Sequence, residues 1–168
     1  MDGAQSKPVV PPKLLAVAIV MLVFCVAAII ARYVRFPEHG TPQPKLPTVS
    51  MTLAGHHLTV EQATSENQRK QGLAFRPSMA ADEGMLFVYP FAAPQNFWTH
   101  GMQFPVDVLF LKGDTVVDYE DSVPPPAQTN GEAATETTLE DADSVLVISA
   151  GLAKEWNVGI RTKIEMGK

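Results

Sequence analysis

Two short apolar runs dominate the hydrophobic pattern of the globular part of the chain. Residues 85–89 and 106–111 are rich in Val, Phe, Leu and Tyr and have turn residues at their ends. Each run therefore predicts a strand that is buried on at least one face. Between them, Pro90 and Pro94 predict a loop, and residues 97–98 restart an extended piece. We expect functional side chains to converge beside this segment.

The rest of the pattern predicts further short strands and one short helix. Alternating residues 49–53 and the short run 58–60 predict a hairpin. The polar segment 64–71 predicts a helix that begins with a capping box of Ser65 and Gln68 and stops at a glycine. The later predicted elements are a hairpin that turns at 112–114 and ends at the prolines 124–126, a buried strand at 145–149, a helical turn at 152–156 and a closing strand at 163–166.

The strongest single signal is an uncharged apolar stretch near the N-terminus. Residues 14–31 carry no charged or strongly polar side chain, and as a helix they extend ~27 Å, close to the hydrocarbon thickness of a bilayer. Flanking Lys13, Arg32 and Tyr33 are typical of a membrane interface, so we predict a transmembrane helix over 14–34. A cleaved signal peptide is the alternative. Helix association would use close packing at small residues, namely Ala16, Ala27, Ala28 and Ala31.

Length and composition suit one domain with an anchor. The chain has 168 residues, of which 46% are hydrophobic and 18% charged. We divide it into a tail (1–13), the transmembrane helix (14–34), a proline-rich linker (35–47) and a globular domain (48–168). Flanking charges nearly balance and do not decide the orientation. An N-terminal signal anchor usually exports a small domain, so we expect a single-pass protein of the bacterial inner membrane with a periplasmic domain.

The charge distribution argues against nucleic acid as a partner. From residue 36 to 168 the chain has nine Lys or Arg and 17 Asp or Glu, a net charge of −8. Nine acids and no Lys or Arg stand between Lys112 and Lys154, and such a surface disfavours a phosphate backbone. Residues 130–143 are rich in acids and predict a solvated loop, with a cation or partner site as the alternative.

Four sequence blocks occur in an order and spacing that are specific for one family. They are RKQGLAFRPSM (69–79), EGMLFVYP (83–90), FWTHGMQFPVDVLFL (97–111) and SAGLAKEWNVGI (149–160). Across about residues 58–166 the chain resembles the domain-of-unknown-function 192 family. The resemblance implies a compact α+β domain with a small, strongly bent antiparallel or mixed β-sheet or barrel and few short helices. It implies no established activity.

The resemblance rests on matching residue types and has three departures. Ala74 stands where the family has a Met, residues 99–102 replace a Met-Lys-Asn-Thr run, and Ile148 or Ser149 stands where the family has a glutamate. Recognition that depends on that lysine, asparagine and carboxylate is therefore not implied for this chain. The matching positions are Arg69, Gly72, Leu73, Arg76, Gly84, Met85, Phe87, Phe97, Trp98, Pro105, Asp107, Ala150 and Gly151.

Asp107 is the isolated acid of the central apolar segment. Burying its charge is costly without a partner, so we predict a buried ion pair with Arg69 or Arg76 that fixes the helix against the sheet. A catalytic acid is the alternative, because His100 in the same segment could share general acid–base work with it. The sequence contains no nucleophile motif, phosphate loop or clustered metal ligands, so we predict no metal and no cofactor.

Three functions are compatible with these features. The first is a membrane-anchored, non-catalytic interaction module, an accessory subunit of a larger membrane complex that could be an energy-transducing one. The second is a domain that binds a small ligand or carbohydrate in an aromatic cleft of Phe97, Trp98 and His100. The third is an envelope hydrolase that uses Asp107 and His100.

Overall fold

The structure is a computed structural model and describes residues 40–129 and 131–167. The predicted tail (1–13) and transmembrane helix (14–34) lie outside these residues, as do the predicted helix-packing residues Ala16, Ala27, Ala28 and Ala31. In the described part of the chain, no helix has both the length and the apolar character needed to cross a bilayer.

The described part of the chain contains nine strands. They are β1 (Thr48–Leu53), β2 (His56–Ala63), β3 (Glu83–Ala93), β4 (Asn96–Trp98), β5 (Val106–Lys112), β6 (Thr115–Val123), β7 (Thr135–Thr137), β8 (Ala142–Ser149) and β9 (Ile164–Met166). Seven of them form one sheet in the order β6-β5-β8-β3-β2-β1-β9, and β4 pairs with β7. In the large sheet, β2 and β3 are parallel and the other neighbours are antiparallel, so the sheet is mixed.

The large sheet curls until its two edges meet at one end. Thr115, the first residue of β6, forms an antiparallel β-bridge with Lys163, which directly precedes β9. Backbone hydrogen bonds of 2.9 Å from Val116 to Thr162 and of 2.8 Å from Ile164 to Asp114 reinforce this closure. Because the rest of β6 remains an edge, the sheet is a half-barrel. The predicted small, strongly bent mixed sheet is confirmed.

Both faces of the sheet carry an apolar core. Along β5, Leu109 and Leu111 belong to one cluster, whereas Val108 and Phe110 belong to the other, and all four are at most 1% exposed. Strand side chains alternate between faces, so a strand covered on both sides needs apolar residues at nearly every position. This double burial explains why residues 106–111 form a continuous apolar run, which Asp107 alone interrupts.

The helices are few and short, as the sequence predicts. Helix α1 (Glu66–Gln71) begins at Ser65, whose side chain accepts from the backbone of Gln68, while the Gln68 side chain accepts from the backbone of Ser65. This capping box satisfies two backbone donors that the helix leaves without partners. Helix α2 (Leu152–Glu155) follows β8, and a 3-10 helix covers Pro126–Gln128.

Two predicted loops contain strand structure. Strand β3 continues through Pro90, because its pairing with β8 is interrupted between Val88 and Ala93 and no ladder hydrogen bond is required of the proline there. Within the acidic segment 130–143, β7 pairs with β4, and Thr138 is fully buried. That segment therefore contributes to the fold as well as to the surface.

The described part of the predicted linker lies against the domain. Residues 41–47, which we call the strap, precede β1. The Gln43 amide is buried and donates to the carbonyls of Gln68 and Gly72 at 3.2 and 2.8 Å. These carbonyls lie at the C-terminal end of α1, where the Gln68 carbonyl also accepts from the Gly72 backbone at 2.8 Å and the Gly72 carbonyl lies beyond the last turn of the helix. At the other end of the strap, the Pro47 carbonyl accepts from the Gln62 backbone at 2.9 Å.

Candidate functional site

An open cleft of about 290 Å³ lies between α1 with the turn that follows it and the strands β3 and β4. The candidate cleft and ligand residues of the sequence are Arg69, Arg76, Phe97, Trp98, His100 and Asp107. Four of these six line the cleft, namely Arg69, Phe97, Trp98 and His100. The remaining two, Arg76 and Asp107, do not belong to its lining. A second, more open depression of about 380 Å³, next to Gly113 and Asp143, is lined by none of the six.

The aromatic side of the cleft is produced by strand alternation in β4. Phe97 points into the core and meets Phe87 edge to face, with ring centroids 5.7 Å apart. Trp98 points outward and is 51% exposed. Its ring stacks on His100 at 4.9 Å with an interplanar angle of 21°. The cleft therefore presents a preassembled pair of aromatic rings to solvent.

A tight turn brings His100 back beside Trp98. Thr99 is fully buried, and its hydroxyl accepts from the Ala134 backbone at 2.9 Å. Gly101 has a φ of 70°, and a Cβ there would come within 3.0 Å of Ala74. A side chain at this position would thus meet both backbone strain and a close neighbour. These residues are among the departures from the family pattern, and here they shape the aromatic side of the cleft.

The cationic side of the cleft is built on α1. Arg69 Nη1 donates to the carbonyls of Thr64 and Val88 at 2.7 and 2.8 Å, and its guanidinium lies 5.1 Å from the centroid of the Tyr89 ring. Burial raises the pKa of the Tyr89 hydroxyl, and the charge of Arg69 partly opposes that shift. The next residue, Lys70, is exposed, and its ammonium group pairs with the Glu66 carboxylate at 2.7 Å. Arg69 is thus fixed, while Lys70 projects into water.

Arg76 has a structural partner outside the cleft. Its two Nη atoms donate to the two carboxylate oxygens of Glu61 at 2.6 and 2.8 Å, and the Leu46 backbone donates to the same carboxylate at 2.7 Å. Burial would raise the pKa of Glu61, but the hydrogen bonds and the charge of Arg76 outweigh it and hold that pKa below its usual value. The pair joins the segment after α1 to β2 and the strap.

The predicted ion pair between Asp107 and an arginine is wrong. Asp107 is fully buried, and its carboxylate accepts three backbone N–H groups, from Ser122 at 2.8 Å, Gly151 at 3.0 Å and Ala153 at 2.8 Å. We call this arrangement the Asp107 capping site. Charge-assisted bonds from amides can compensate a buried carboxylate as well as a cation can. Arg69 and Arg76 have the other partners described above.

Two local irregularities supply the amides of the Asp107 capping site. One is a bulge in β6, where the pairing with β5 shifts between Val106 and Val108 and Ser122 adopts a φ of 54°. The other is the start of α2, where Gly151 is the N-cap and Ala153 lies in the first turn. The carboxylate satisfies donors that both irregularities leave without ladder or helix partners. Asp107 therefore joins β5 to the bulge of β6 and to the start of α2.

The separate locations of Asp107 and His100 decide what the site can do chemically. His100 lines the cleft, whereas the carboxylate of Asp107 is saturated by amides at the bulge and α2. The predicted acid–base pair is not formed. Among residues 40–129 and 131–167, no group of three His, Cys, Asp or Glu side chains is placed to hold a metal. The cleft offers stacking surface and positive charge, which suit binding.

Sequence reasoning missed several cleft residues. Lys70 and Tyr89 also line the cleft. The helical spacing of Glu66, Arg69 and Lys70, three and four positions apart, places them on one face of α1 and was the available signal for Lys70. Tyr89 could not be assigned in this way, because its orientation depends on where β3 breaks its pairing with β8.

Comparison with known proteins identifies the domain. The family described as DUF192, an uncharacterised ACR, matches residues 49–166. A solved structure from Sinorhizobium meliloti, described as a proposed transcription regulator, is 29% identical, covers 74% of this chain and 97% of its own, and superposes with a TM-score of 0.67. A protein of unknown function from Novosphingobium aromaticivorans is 24% identical over 80% and 96% of the two chains, with a TM-score of 0.66. The curated proteins give no match.

Proposed function

The chain belongs to the DUF192 family, and from its open cleft we propose that it is a membrane-anchored, non-catalytic interaction module. In this proposal it is an accessory subunit of a larger membrane complex, including an energy-transducing one. The observation that carries the proposal is the exposed Trp98–His100 stack beside the cations of α1. Exposed tryptophan next to basic side chains is the composition of binding hot spots.

The proposal favours binding over the hydrolase alternative. Hydrolysis by a His–Asp pair requires the two side chains to approach the same substrate atom. In this domain Asp107 is fully buried and accepts three backbone amides, so its carboxylate is not exposed to orient a histidine in the cleft or to activate a water there. The Asp107–His100 pair that the hydrolase alternative requires is therefore not formed in the cleft, and this favours a recognition role.

The test is co-purification of the full chain from native membranes in a mild detergent. Trp98→Ala removes the exposed ring, and we expect at least a roughly tenfold loss of the retained partner, because a hot-spot tryptophan contributes more than ~2 kcal/mol. Ile160→Ala is the matched control, since Ile160 is 61% exposed and does not line the cleft. A chain that is monomeric in every native extract, or equal retention by both variants, contradicts the proposal.

The membrane part of the proposal has its own tests. Residues 14–34 should keep the full chain in the membrane fraction after a carbonate wash, because burying their apolar side chains is far stronger than peripheral contact. With the domain in the periplasm, alkaline phosphatase fused after Lys168 should be active and a cytoplasmic reporter at the same position inactive. A mature soluble protein that begins near Ile29 would refute the anchor, and the reverse reporter pattern would refute the orientation.

A small ligand or carbohydrate is the second candidate occupant of the cleft. Its volume of about 290 Å³ lies at the lower limit of small-molecule sites, roughly 300 Å³, and an exposed indole ring can stack on a sugar ring. Native mass spectrometry of the purified domain separates the candidates. A retained small molecule that Trp98→Ala releases would favour this second function over the first.

A further inference from the structure

The strap and the cleft share one wall. Gln71 lines the cleft, and its side-chain amide donates to the Thr41 carbonyl at 2.9 Å. Gly72 also lines the cleft, and its carbonyl accepts from the buried Gln43 amide. The chain therefore enters the folded domain along the same helix end that forms the cationic side of the cleft.

The neighbouring turn ties this entry point to the aromatic side as well. Gly40 lies so close to the Phe75 ring that a Cβ at Gly40 would come within 2.1 Å of it. The Phe75 backbone donates to the Gly101 carbonyl at 2.7 Å, and Gly101 directly follows His100. Gly40 therefore packs against Phe75, which bonds to the aromatic side of the cleft at Gly101. The next residue, Thr41, bonds to the cationic side at Gln71.

Covalent length then limits how far this end of the domain can be from the anchor. Six residues, 35–40, separate the predicted transmembrane helix from the strap. Even a fully extended chain of that length reaches at most about 25 Å. If the strap were a free part of the linker, the reach would double. The docked strap therefore halves the tether and fixes which end of the domain is attached to it.

We propose that the cleft is a membrane-proximal docking site for the aqueous segment that adjoins a transmembrane span of an integral membrane protein. This inference rests on the proposed function and adds the location and chemistry of the partner. The occupant is an extended segment with an acidic side chain beside an apolar or aromatic one. The acidic group complements Arg69 and Lys70, and the apolar group covers the open face of Trp98.

The charge of the rest of the domain supports a local acidic contact. Residues 36–168 have a net charge of −8, so an acidic segment is repelled by most of the surface. The cleft lining differs in sign, because it holds two cations, Arg69 and Lys70, and one acid, Glu66, which pairs with Lys70. This contrast favours one orientation of an acidic partner over others. A membrane of anionic lipids meets the same overall repulsion, and it is the competing outcome in the test below.

The first experiment changes the tether and leaves the cleft intact. Twenty Gly and Ser residues inserted between Glu38 and His39 should reduce partner retention by native membranes roughly five- to tenfold, because effective concentration falls with about the −3/2 power of tether length. The matched control carries the same twenty residues after Lys168 and should retain the partner as the wild type does. Equal retention by both extended chains would overturn the inference.

The second experiment identifies the occupant. A photo-crosslinking amino acid in place of Asn96, which is exposed and lines the cleft but is not one of the proposed recognition residues, should form adducts with the segment that adjoins a partner's transmembrane span when the full chain is in native membranes. The same group in place of Ile160 is the control and should give few of these adducts. Adducts mainly with lipid, or with a segment far from any span, would overturn the inference but leave membrane anchoring intact. No protein adduct together with no co-purified partner would refute the proposed function itself.

Discussion

The Asp107 capping site and the cleft are two polar sites beside different apolar clusters of the sheet, and they differ in how much of their hydrogen-bonding and contact capacity is already used. In the capping site, one buried carboxylate accepts three backbone amides. In the cleft, Trp98 remains half exposed, and Lys70 has only an exposed ion pair with Glu66. A site saturated from within stabilises the fold, whereas a site with exposed capacity can bind another molecule.

The largest expected effect that tests this contrast is loss of stability at Asp107. Asp107→Ala leaves three buried N–H groups without acceptors, so we expect the free energy of unfolding of the domain to fall by about 3–5 kcal/mol. Asp107→Asn keeps one oxygen for Ser122 and Gly151 but turns an N–H₂ group towards Ala153, and should lose less. Urea unfolding of the two variants measures both values. An unchanged midpoint for Asp107→Ala would show that the site isn't structural.

A second, smaller effect should appear at the buried ion pair. Arg76→Ala leaves the Glu61 carboxylate buried with only the Leu46 amide, and we expect a loss of about 3 kcal/mol at neutral pH. The pKa of Glu61 is lowered in the folded state. Ionised Glu61 therefore stabilises the fold at pH values above its ordinary pKa of 4.5, and this stabilisation is lost as the pH falls through the lowered pKa. The variant should therefore lose less stability than the wild type between neutral and acidic pH.

Melting curves at pH 7 and at a pH below 4 measure this difference. The double variant Glu61→Gln with Arg76→Met removes both charges and should be more stable than Arg76→Ala alone, because no unpaired charge remains buried. If the wild type and Arg76→Ala lost the same stability on acidification, the pair would not be the source of the pH dependence.

The smallest effect on stability should follow a change in the cleft. Trp98→Ala removes a half-exposed ring whose stacking partner is His100, so the free energy of unfolding should change by less than about 1 kcal/mol. Its effect on partner retention is expected to be large, as proposed above. A loss of stability similar to that of Asp107→Ala would erase the contrast between the two sites.

Local chemistry explains which parts of the fold were predictable. The capping box of Ser65 and Gln68 and the glycine after α1 are short-range signals, and the structure confirms both. Pro90 was predicted as a loop residue because proline cannot donate to a ladder. In the fold, interrupted pairing of β3 with β8 removes that requirement, and sequence alone does not show where pairing stops.

The same limit applies to the candidate site. Phe97, Trp98 and His100 were expected to form an aromatic cleft, and they do line one cleft. Arg69 lines it as well, although it was expected to pair with Asp107. Asp107 was correctly predicted to be buried, but its partners are backbone amides that a sequence does not label. Gln43 was assigned to the proline-rich linker, since nothing in its residue type indicates that it caps a helix 25 positions away.

The most direct test of the contrast is hydrogen–deuterium exchange of the full chain, compared between native membranes and the purified chain in detergent. We predict that binding protects the amides of residues 96–102 in native membranes, because a partner covers the cleft. The amides of Ser122, Gly151 and Ala153 should be strongly protected in both samples, since they already donate to Asp107. New protection confined to those three amides, with none at residues 96–102, would contradict the assignment of the two sites.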